Sequence, residues 1–475
     1  MDRERNMKRE WGHDIGLRCL KLLSVVAMTV PFEICWYFYY ANRTAALFAG
    51  HARLYVLVFY LFLFVFFGRV YEAFLVSYNR VSEMVYSQML AACVADGFIY
   101  ILICFLCKGR QPLWPGLLAI VGQFCVSVTW SLLANRWYFR HYPPKRTIVI
   151  YDVRSGIERL IEAYGLSKKF AVEKVLHVSE VTQDLSVLSE AQEVLLSGVH
   201  SHDRNRIIKY CTGNSINALV LPCLGDALMI GAKKMHIFHL PILLVQRYSP
   251  KPEFVLAKRV IDIVMSGAAL IVFSPLFLVT ALLIKKDGGP AFYIQERLTK
   301  DGRVFKLIKF RSMRVDAEKD GVARLSSGDD DDRITPVGRV IRKLRIDELP
   351  QLLNILKGDM SIVGPRPERP EIAAEYEKEL PEFRLRLQCK AGLTGYAQVY
   401  GKYNTTPYDK LMMDLMYIAD PSLVQDLRII FATVKVLFMP ESTEGVRKGQ
   451  KTAMHGTAEA GAPEEGAPAA EEQGE

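Results

Sequence analysis

Two adjacent carboxylic acids, Asp347 and Glu348, stand where the sequence indicates the start of a helix. In the segment IDELPQLLNILKG, residues 346–358, an early proline, a following apolar run and a terminal Gly358 are typical start and stop signals. The unpaired N–H groups and the dipole at a helix start favour an ionised Asp347. That carboxylate could act as a nucleophile or hold a divalent cation. The alternative is that it only caps the helix, a common role for aspartate.

Basic residues close to this pair favour a chemical role over capping. They are Arg342, Arg345, Arg366 and Arg369. The turn GPRPERP would hold Arg366 rigidly, because Pro365 and Pro367 restrict the backbone on either side of it. Guanidinium groups pair with phosphate oxygens in a bidentate manner. A carboxylate pair, a fixed arginine and a nearby membrane are what phosphoryl transfer to a lipid requires.

The segment before the carboxylates, residues 291–313, reads as two strands joined by a turn at Asp301-Gly302. It carries side chains that suit phosphate binding, namely Gln295, Arg297, Lys309 and Arg311. This segment is therefore predicted to be soluble and to contribute to phosphate binding.

An apolar run at residues 260–284 contains a single charge, Asp262. Its length suits a transmembrane helix, but basic pairs flank both ends, Lys258-Arg259 before it and Lys285-Lys286 after it. Ser274-Pro275 stands near the middle, where proline kinks a helix and the serine hydroxyl can bond to a freed carbonyl. These features predict a re-entrant helix-break-helix. An ordinary crossing with an incidental kink is the alternative.

Four further apolar stretches come first, at about residues 19–40, 54–67 with an extension towards 76, 89–107 and 113–134. Each is near the length of about 20 residues that a membrane-spanning helix needs. Basic residues gather before the first stretch and after the last, as the positive-inside rule requires for two cytoplasmic ends. We predict a cytoplasmic segment over residues 1–16 and a four-helix transmembrane bundle over residues 17–140.

Residues 141–250 alternate apolar runs with helical segments, which is typical of a parallel α/β sheet. The predicted strands are residues 147–152, 193–200, 218–223 and 239–245, with a helix over residues 157–164. The turn after the first strand has one glycine, Gly156, where a dinucleotide site needs G-x-G-x-x-G. A degenerate Rossmann-like cytoplasmic module with a scaffolding or regulatory role is therefore favoured over an NAD site.

Composition agrees with a chain that is part membrane and part soluble, with 51% hydrophobic and 23% charged residues. The nine cysteines are scattered and form no disulfide framework. The formal charge is +9, but no helix shows a basic stripe interleaved with aromatics, so nucleic acid is not expected as a partner. Residues 441–475 are acidic and rich in alanine, glycine and proline, and are predicted to be disordered.

Several motifs between Lys258 and Leu437 resemble, in the same order, the bacterial sugar transferase family. They are KRVID, FYIQERL, FKLIKFRSM, DRITPVGRVIRKLRIDELPQLLNILKGDMSIVGPRPE and AGLTGYAQVYGK. Members of this family are monotopic polyprenyl-phosphate phosphoglycosyl transferases. The preceding helices and α/β module make the chain similar to the large form of the family. The resemblance implies an α/β catalytic domain over residues 251–440, anchored by a re-entrant helix at residues 260–284.

The activity that the resemblance implies is transfer of a sugar 1-phosphate, with hexose favoured, from a UDP-sugar to undecaprenyl phosphate. UMP would be released, and a covalent aspartyl-phosphosugar would form on the way. This reaction initiates exopolysaccharide, capsule or O-antigen synthesis at the cytoplasmic face of the bacterial inner membrane. Mg²⁺ is the expected cofactor, and the lipid bilayer and a second copy of the chain are expected partners.

The family motifs assign roles to individual positions of this sequence. The nucleophile falls on Asp347 and its adjoining acid on Glu348, and both would hold the Mg²⁺. The phosphate contacts fall on Arg342 and Arg366, the membrane-proximal basic pair on Lys258 and Arg259, the helix break on Ser274-Pro275, and supporting acids on Asp414 and Asp426. Two departures are Lys402, where arginine is more usual, and a long acidic run at Asp329–Asp332.

Two hypotheses from other classes stay open at this point. One is a membrane-anchored NAD-dependent sugar oxidoreductase that uses residues 143–247, against which the missing glycines count. The other is a non-enzymatic scaffold for polysaccharide assembly. Release of UMP on addition of polyprenyl phosphate separates an enzyme from a scaffold.

Overall fold

A computed structural model describes residues 2–43, 52–107, 109–286, 288–317, 331, 333–401 and 405–437. The chain divides into two compact units, Met1–Pro222 and Cys223–Glu475. Lys402, the predicted disordered tail and all of the acidic run except Asp331 lie outside the described residues.

The first unit begins with long apolar helices. They are α1 (Asp2–Cys35), continued by a π-helical turn (Trp36–Tyr40), α2 (Ala52–Val70), α3 (Val81–Leu106) and α4 (Trp114–His141). Among the described residues, three segments are long and apolar enough to cross a membrane, namely Ile15–Tyr40, Val81–Leu106 and Trp114–His141. The described apolar part of α2, Leu54–Val70, is shorter. The prediction of several apolar helices long enough to span a membrane is confirmed.

The second predicted span was wrong at its end, because the helix does not extend towards Val76. Helix α2 stops at Val70, and Glu72 adopts a left-handed backbone conformation with φ of 59°. Such a residue ends a right-handed helix whatever its neighbours' hydrophobicity. Packing then brings α4 against both α1 and α3, and α2 against α3.

A four-stranded parallel sheet follows in the same unit, in the order β2-β1-β3-β4. Its strands are β1 (Lys145–Tyr151), β2 (Phe170–His177), β3 (Glu193–Ser197) and β4 (Asn217–Val220), and its helices are α5 (Ile157–Ala163), α6 (Val178–Gln183) and α7 (Ser201–Gly213). This confirms an α/β unit with a parallel sheet. Strand β2 was not predicted, because lysine and glutamate interrupt its apolar pattern.

The last predicted strand, residues 239–245, was misplaced. It forms β6 (Leu240–Leu244), which pairs antiparallel with β5 (Lys233–Ile237) outside the parallel sheet and belongs to the second unit. The reason is the tight turn at Phe238 and His239, whose φ angles of 56° and 61° reverse the chain at once. An apolar run predicts a strand, but it does not specify the partner.

The second unit also contains the remaining helices and strands. The helices are α8 (Leu224–Ile230), α9 (Pro252–Val272), α10 (Ser274–Lys286), α11 (Pro336–Lys343), α12 (Gln351–Lys357), α13 (Pro370–Glu379), α14 (Tyr396–Tyr400), α15 (Pro407–Ala419) and α16 (Leu423–Leu437), with 3₁₀ turns at Ile346–Glu348 and Pro381–Gln388. The strands are the antiparallel pair β7 (Phe292–Leu298) and β8 (Val304–Phe310) and the parallel pair β9 (Ser361–Val363) and β10 (Gly392–Thr394). The predicted hairpin with its turn at Asp301-Gly302 is confirmed.

Helices α9 and α10 form the predicted broken apolar segment. They meet at an angle of 62°, and Ser274 Oγ donates a hydrogen bond of 2.8 Å to the carbonyl oxygen of Ile271. The hydroxyl thus satisfies a carbonyl at the break, as predicted. The buried Asp262 of α9 accepts hydrogen bonds from Ile362 N (2.9 Å) and Ser361 Oγ (3.1 Å), and this ties the helix to β9.

A large apolar core packs around helix α12 in the second unit. Helix α12 packs against α9 and β8, and Ile355 on α12 is fully buried. Other members of this core are Leu307, Met360, Val363, Tyr376, Phe383, Leu411, Leu415 and Ile429. The residues beside α12 are therefore held by rigid packing, which fixes the start of this helix relative to β8.

Candidate active site

The carboxylate pair lies in a tight turn and not at the first turn of the α-helix. Arg345 has a left-handed backbone with φ of 56°, Ile346–Glu348 form a 3₁₀ turn, and α12 begins only at Gln351. Neither helix start has a side-chain cap. Asp347 Oδ1 is buried without a hydrogen-bond partner. The pair is therefore near a helix start, as predicted, but the α-helix itself begins three residues later, because residues 346–348 take the tighter 3₁₀ form.

Glu348 lies between three basic side chains. Its Oε1 is 2.8 Å from Arg366 Nη2, 3.5 Å from Lys309 Nζ and 3.7 Å from Arg345 Nη1. Burial by itself would raise the pKa of Glu348, but the charges of Arg366, Lys309 and Arg345 hold it well below its usual value. Glu348 is therefore a permanent anion that holds these basic groups in place.

Asp347 behaves in the opposite way. Burial, together with the negative charge of Glu348, raises the pKa of its carboxyl group to about 6, against the opposing charges of Lys309, Arg342 and Arg345. The pair thus consists of one fully compensated carboxylate and one carboxylate that is poorly solvated but still mostly ionised at pH 7. Such a group is a candidate nucleophile.

Side chains of strand β7 hold the turn that contains Arg366. Arg297 donates hydrogen bonds to Gln295 Oε1 (2.6 Å) and to the carbonyl oxygen of Pro367 (3.1 Å), and lies 4.0 Å from Glu368 Oε2. Burial lowers the pKa of Arg297 to about 10. Pro365 and Pro367 are both buried. Gln295 and Arg297 therefore hold the proline-rich turn, and this turn presents Arg366 to Glu348.

A buried ion-pair chain continues behind this turn. Arg386, which is 3% exposed, lies 2.7 Å from Asp414 Oδ2 and 3.5 Å from Glu368 Oε1. Lys410 acts on Glu368 as a further positive charge. Sequence reasoning predicted a supporting role for Asp414 but missed Glu368, Arg386 and Lys410. The sequence signal for Arg386 is weak, because residues 381–388 contain two arginines, Arg384 and Arg386, between apolar residues.

Three further residues that were predicted to bind phosphate, Lys258, Arg259 and Arg311, lie away from the carboxylate pair and contact other parts of the protein. Lys258 Nζ lies 2.7 Å from Asp426 Oδ2, Arg259 donates to the carbonyl oxygens of Ile355 and Leu356 at the end of α12, and Arg311 donates to the carbonyl oxygen of Ile284. Lys258 and Arg259 on α9 thus connect this helix to α16 and α12, and Arg311 satisfies a carbonyl group near the end of α10. The residues that the structure brings together around the pair are Lys309, Arg342, Arg345 and Arg366.

The predicted Mg²⁺ has only part of a site in the protein. No cluster of three or more His, Cys, Asp or Glu that could hold a metal occurs in the part of the chain that the structure describes. Glu348 Oε1 already faces three cations, whereas Asp347 Oδ1 is free. Magnesium is commonly held by one or two carboxylates together with substrate phosphates. Asp347 fits that pattern if a diphosphate supplies further oxygens.

The sequence of the second unit, which contains this site, is similar to proteins of a known family. Residues 253–440 match the model of the family described as bacterial sugar transferase. The chain is 42% identical over 192 residues to a UDP-N-acetylgalactosamine-undecaprenyl-phosphate N-acetylgalactosaminephosphotransferase of Aeromonas hydrophila, covering 40% of this chain and 45% of the relative. It is 41% identical over 199 residues to a UDP-glucose:undecaprenyl-phosphate glucose-1-phosphate transferase of Caulobacter vibrioides, covering 41% of this chain and 74% of the relative.

A third relative extends the comparison. The chain is 39% identical over 210 residues to an undecaprenyl-phosphate galactose phosphotransferase of Salmonella typhimurium, covering 41% of this chain and 43% of the relative. The chain thus spans less than half the length of the Aeromonas and Salmonella proteins. The similarity to the Caulobacter protein spans about three quarters of that relative.

Proposed function

This chain belongs to the bacterial sugar transferase family, and from that membership we propose that it transfers a sugar 1-phosphate from a UDP-sugar to undecaprenyl phosphate with release of UMP. The observation that carries the proposal is the contrast within the carboxylate pair. Asp347 has a buried oxygen without a partner, and the adjacent Glu348 is compensated by three basic side chains. A nucleophile needs a free lone pair, and an anionic donor needs surrounding positive charge.

The proposed reaction has two displacements at one phosphorus atom. In the first, an oxygen of Asp347 forms a bond to the β-phosphorus of the donor, and the bond from that phosphorus to the bridging oxygen breaks, so that UMP leaves. In the second, a phosphate oxygen of the lipid attacks the same phosphorus and the bond to Asp347 breaks. The carboxylate is restored, and the product is a lipid diphosphate sugar.

The basic side chains around Glu348 make these steps feasible for reactants that are all anions. Arg366 and Lys309 supply positive charge beside the attacked phosphate, and Glu348 holds both in place before substrate arrives. The charge of Arg342 also acts on Asp347 and favours its ionised form. Mg²⁺, held by Asp347 together with donor phosphate oxygens, would add charge neutralisation when bound.

The membrane geometry of the proposal rests on the bent helix pair. Helices α9 and α10, at 62° to each other, would enter and leave the bilayer on one side. The site would then face the cytoplasm at the inner membrane, where UDP-sugars are found. From the family resemblance we also propose that the protein forms a homodimer.

The donor sugar is proposed as a hexose from similarity to the large form of the family. The names of the relatives include N-acetylgalactosamine, glucose and galactose. A panel of UDP-hexoses and UDP-N-acetylhexosamines should therefore be offered to the full chain in membranes, with and without undecaprenyl phosphate. We expect catalytic UMP formation only with the lipid and with a subset of donors. Absence of UMP formation with every donor would favour the scaffold hypothesis.

The raised pKa of Asp347 predicts a pH dependence for the first displacement. UMP formation in a single turnover without lipid should fall about tenfold per pH unit below about 6 and level off above it, because only the ionised carboxylate attacks. Glu348 stays ionised over this range, because its own pKa is lowered. Rapid-quench measurement of UMP from pH 5 to 8 checks this.

The variant Glu348→Gln provides the check on that assignment. It removes a negative neighbour that raises the pKa of Asp347, so any remaining activity should have its inflection at lower pH. A profile that is flat between pH 5 and 8 in the unaltered protein would refute Asp347 as the group that titrates.

A further inference from the structure

An aromatic side chain of strand β7 lies beside the candidate site. Tyr293 is directly opposite Lys309 in the β7–β8 pair. Residues in this relation project from the same face of the sheet, with Cβ atoms about 5 Å apart. Lys309 Nζ contacts Glu348, and its charge acts on Asp347. Tyr293 is therefore the neighbour of a basic group that faces the carboxylate pair.

The ring of Tyr293 is open to solvent on a face that is otherwise buried. Leu307 and Phe305, which follow on the same face of β8, are 1% and 6% exposed, whereas Tyr293 is 41% exposed. An aromatic side chain that served only the core would be covered like these two. The ring surface of Tyr293 is thus available to a molecule that enters the site.

The hydroxyl group of Tyr293 is held by the same side chains that hold the proline-rich turn. It accepts a hydrogen bond of 3.2 Å from Gln295 Nε2, and Gln295 Oε1 accepts one of 2.6 Å from Arg297 Nη2. Arg297 Nη1 also donates to the carbonyl oxygen of Pro367 (3.1 Å), next to Arg366. The ring is therefore fixed at its polar end relative to Arg366, while its apolar surface stays open. Such preorganisation lowers the cost of binding a ligand.

The geometry of an in-line displacement indicates which part of the donor meets this ring. The attacking oxygen of Asp347 and the leaving UMP lie on opposite sides of the β-phosphorus, so the sugar oxygen and the two non-bridging oxygens lie around it between them. Lys309 and Arg366 supply the positive charge for the non-bridging oxygens. The group beside Lys309 is therefore the sugar, and the uridine extends away from Asp347.

We propose, on the basis of the proposed function, that Tyr293 binds the sugar of the UDP-sugar donor by packing its ring against a C–H face of the pyranose. Tyrosine provides a rigid apolar surface, and ligand sites combine such surfaces with a few polar groups. The sugar stays on the attacked phosphorus after UMP has left. The same contact therefore holds the sugar of the covalent intermediate until the lipid phosphate attacks.

The test compares the donor with the same molecule without its sugar. The full chain in membranes receives undecaprenyl phosphate and the best donor among UDP-glucose, UDP-galactose and UDP-N-acetylgalactosamine, with UDP as the competing ligand. Tyr293→Leu removes the flat ring but keeps an apolar side chain in the strand. We expect kcat/KM for the donor to fall about tenfold, the order of effect of one aromatic contact, and the inhibition constant of UDP to change less than about twofold.

Three further variants make the comparison specific. Tyr293→Phe keeps the ring and loses the bond to Gln295, so kcat/KM for the donor should stay within about threefold. Ile294→Leu, at a position 58% exposed on the opposite face of β7, is the matched control and should leave both constants unchanged. Tyr293→Met also removes the ring and provides the same comparison if Tyr293→Leu folds poorly.

The outcomes separate this contact from other roles of Tyr293. An equal loss for the donor and for UDP in Tyr293→Leu would place the ring at the nucleotide and overturn the proposal. Equal losses in Tyr293→Phe and Tyr293→Leu would overturn it too, because the hydroxyl group would then act by positioning the turn. Unchanged kinetics in Tyr293→Leu would refute any contact with the donor. If the unaltered protein forms no UMP with any donor, the proposed function itself fails, and the sugar contact fails with it.

Discussion

Replacing Asp347 with asparagine should abolish UMP formation, with a loss of at least about 10³-fold in rate, because the proposed nucleophile is lost while its shape is kept. The variant should fold normally. The carboxyl group that it removes is buried, and its Oδ1 atom accepts no hydrogen bond. Stability should therefore stay equal or rise slightly, since a poorly solvated charge disappears. The measurements are UMP release and the midpoint of thermal unfolding on the same preparation.

The covalent step gives this prediction a second readout. A donor labelled at the β-phosphate should leave one equivalent of label on the unaltered protein when lipid is absent, and none on Asp347→Asn. Asp420→Asn, a change at an exposed aspartate in the same unit, is the matched control and should keep both the label and the turnover. One equivalent of UMP from Asp347→Asn would remove Asp347 from the nucleophile's role.

The second large effect is expected for Arg386→Met, which acts on stability. Arg386 lies between the buried carboxylates of Asp414 and Glu368, at 2.7 and 3.5 Å. Without its charge these anions lose their main partner in a region of low dielectric, and loss of one member of a buried ion pair costs about 3–5 kcal/mol. The midpoint of thermal unfolding should fall by roughly 10 °C or more for a unit of this size.

The position two residues earlier supplies the control for this change. Arg384 is exposed on the same 3₁₀ segment, so Arg384→Met should change the free energy of unfolding by less than about 1 kcal/mol and leave the midpoint nearly unchanged. Adding Asp414→Asn to Arg386→Met should restore part of the loss, because one uncompensated charge is removed. Equal midpoints for the two single arginine variants would show that the buried ion-pair chain adds nothing to stability.

Local chemistry in the sequence was sufficient for several features of the fold. Ser274-Pro275 predicted the break between α9 and α10, because a proline in the interior of a continuous helix removes a backbone hydrogen bond and clashes with the preceding turn. Asp301-Gly302 predicted the turn of the β7–β8 hairpin, where both residues have positive φ. Asp347, Glu348 and Arg366 could be selected together because they lie close along the chain and the prolines restrict the segment between them.

Only the tertiary structure determined which basic side chains lie beside each of the two carboxylates. Lys309 contacts Glu348 from strand β8, and Arg366 contacts it from the turn after β9. The negative charge of Glu348 is therefore compensated by these cations, whereas Asp347 Oδ1 has no hydrogen-bond partner. Arg386 meets Glu368 and Asp414 from a separate segment. Hydrophobic periodicity determines which face of an element is buried, but the partner of a buried charge depends on packing between residues far apart in the chain. The sequence therefore selected both carboxylates, but their different charge environments arise only in the folded protein.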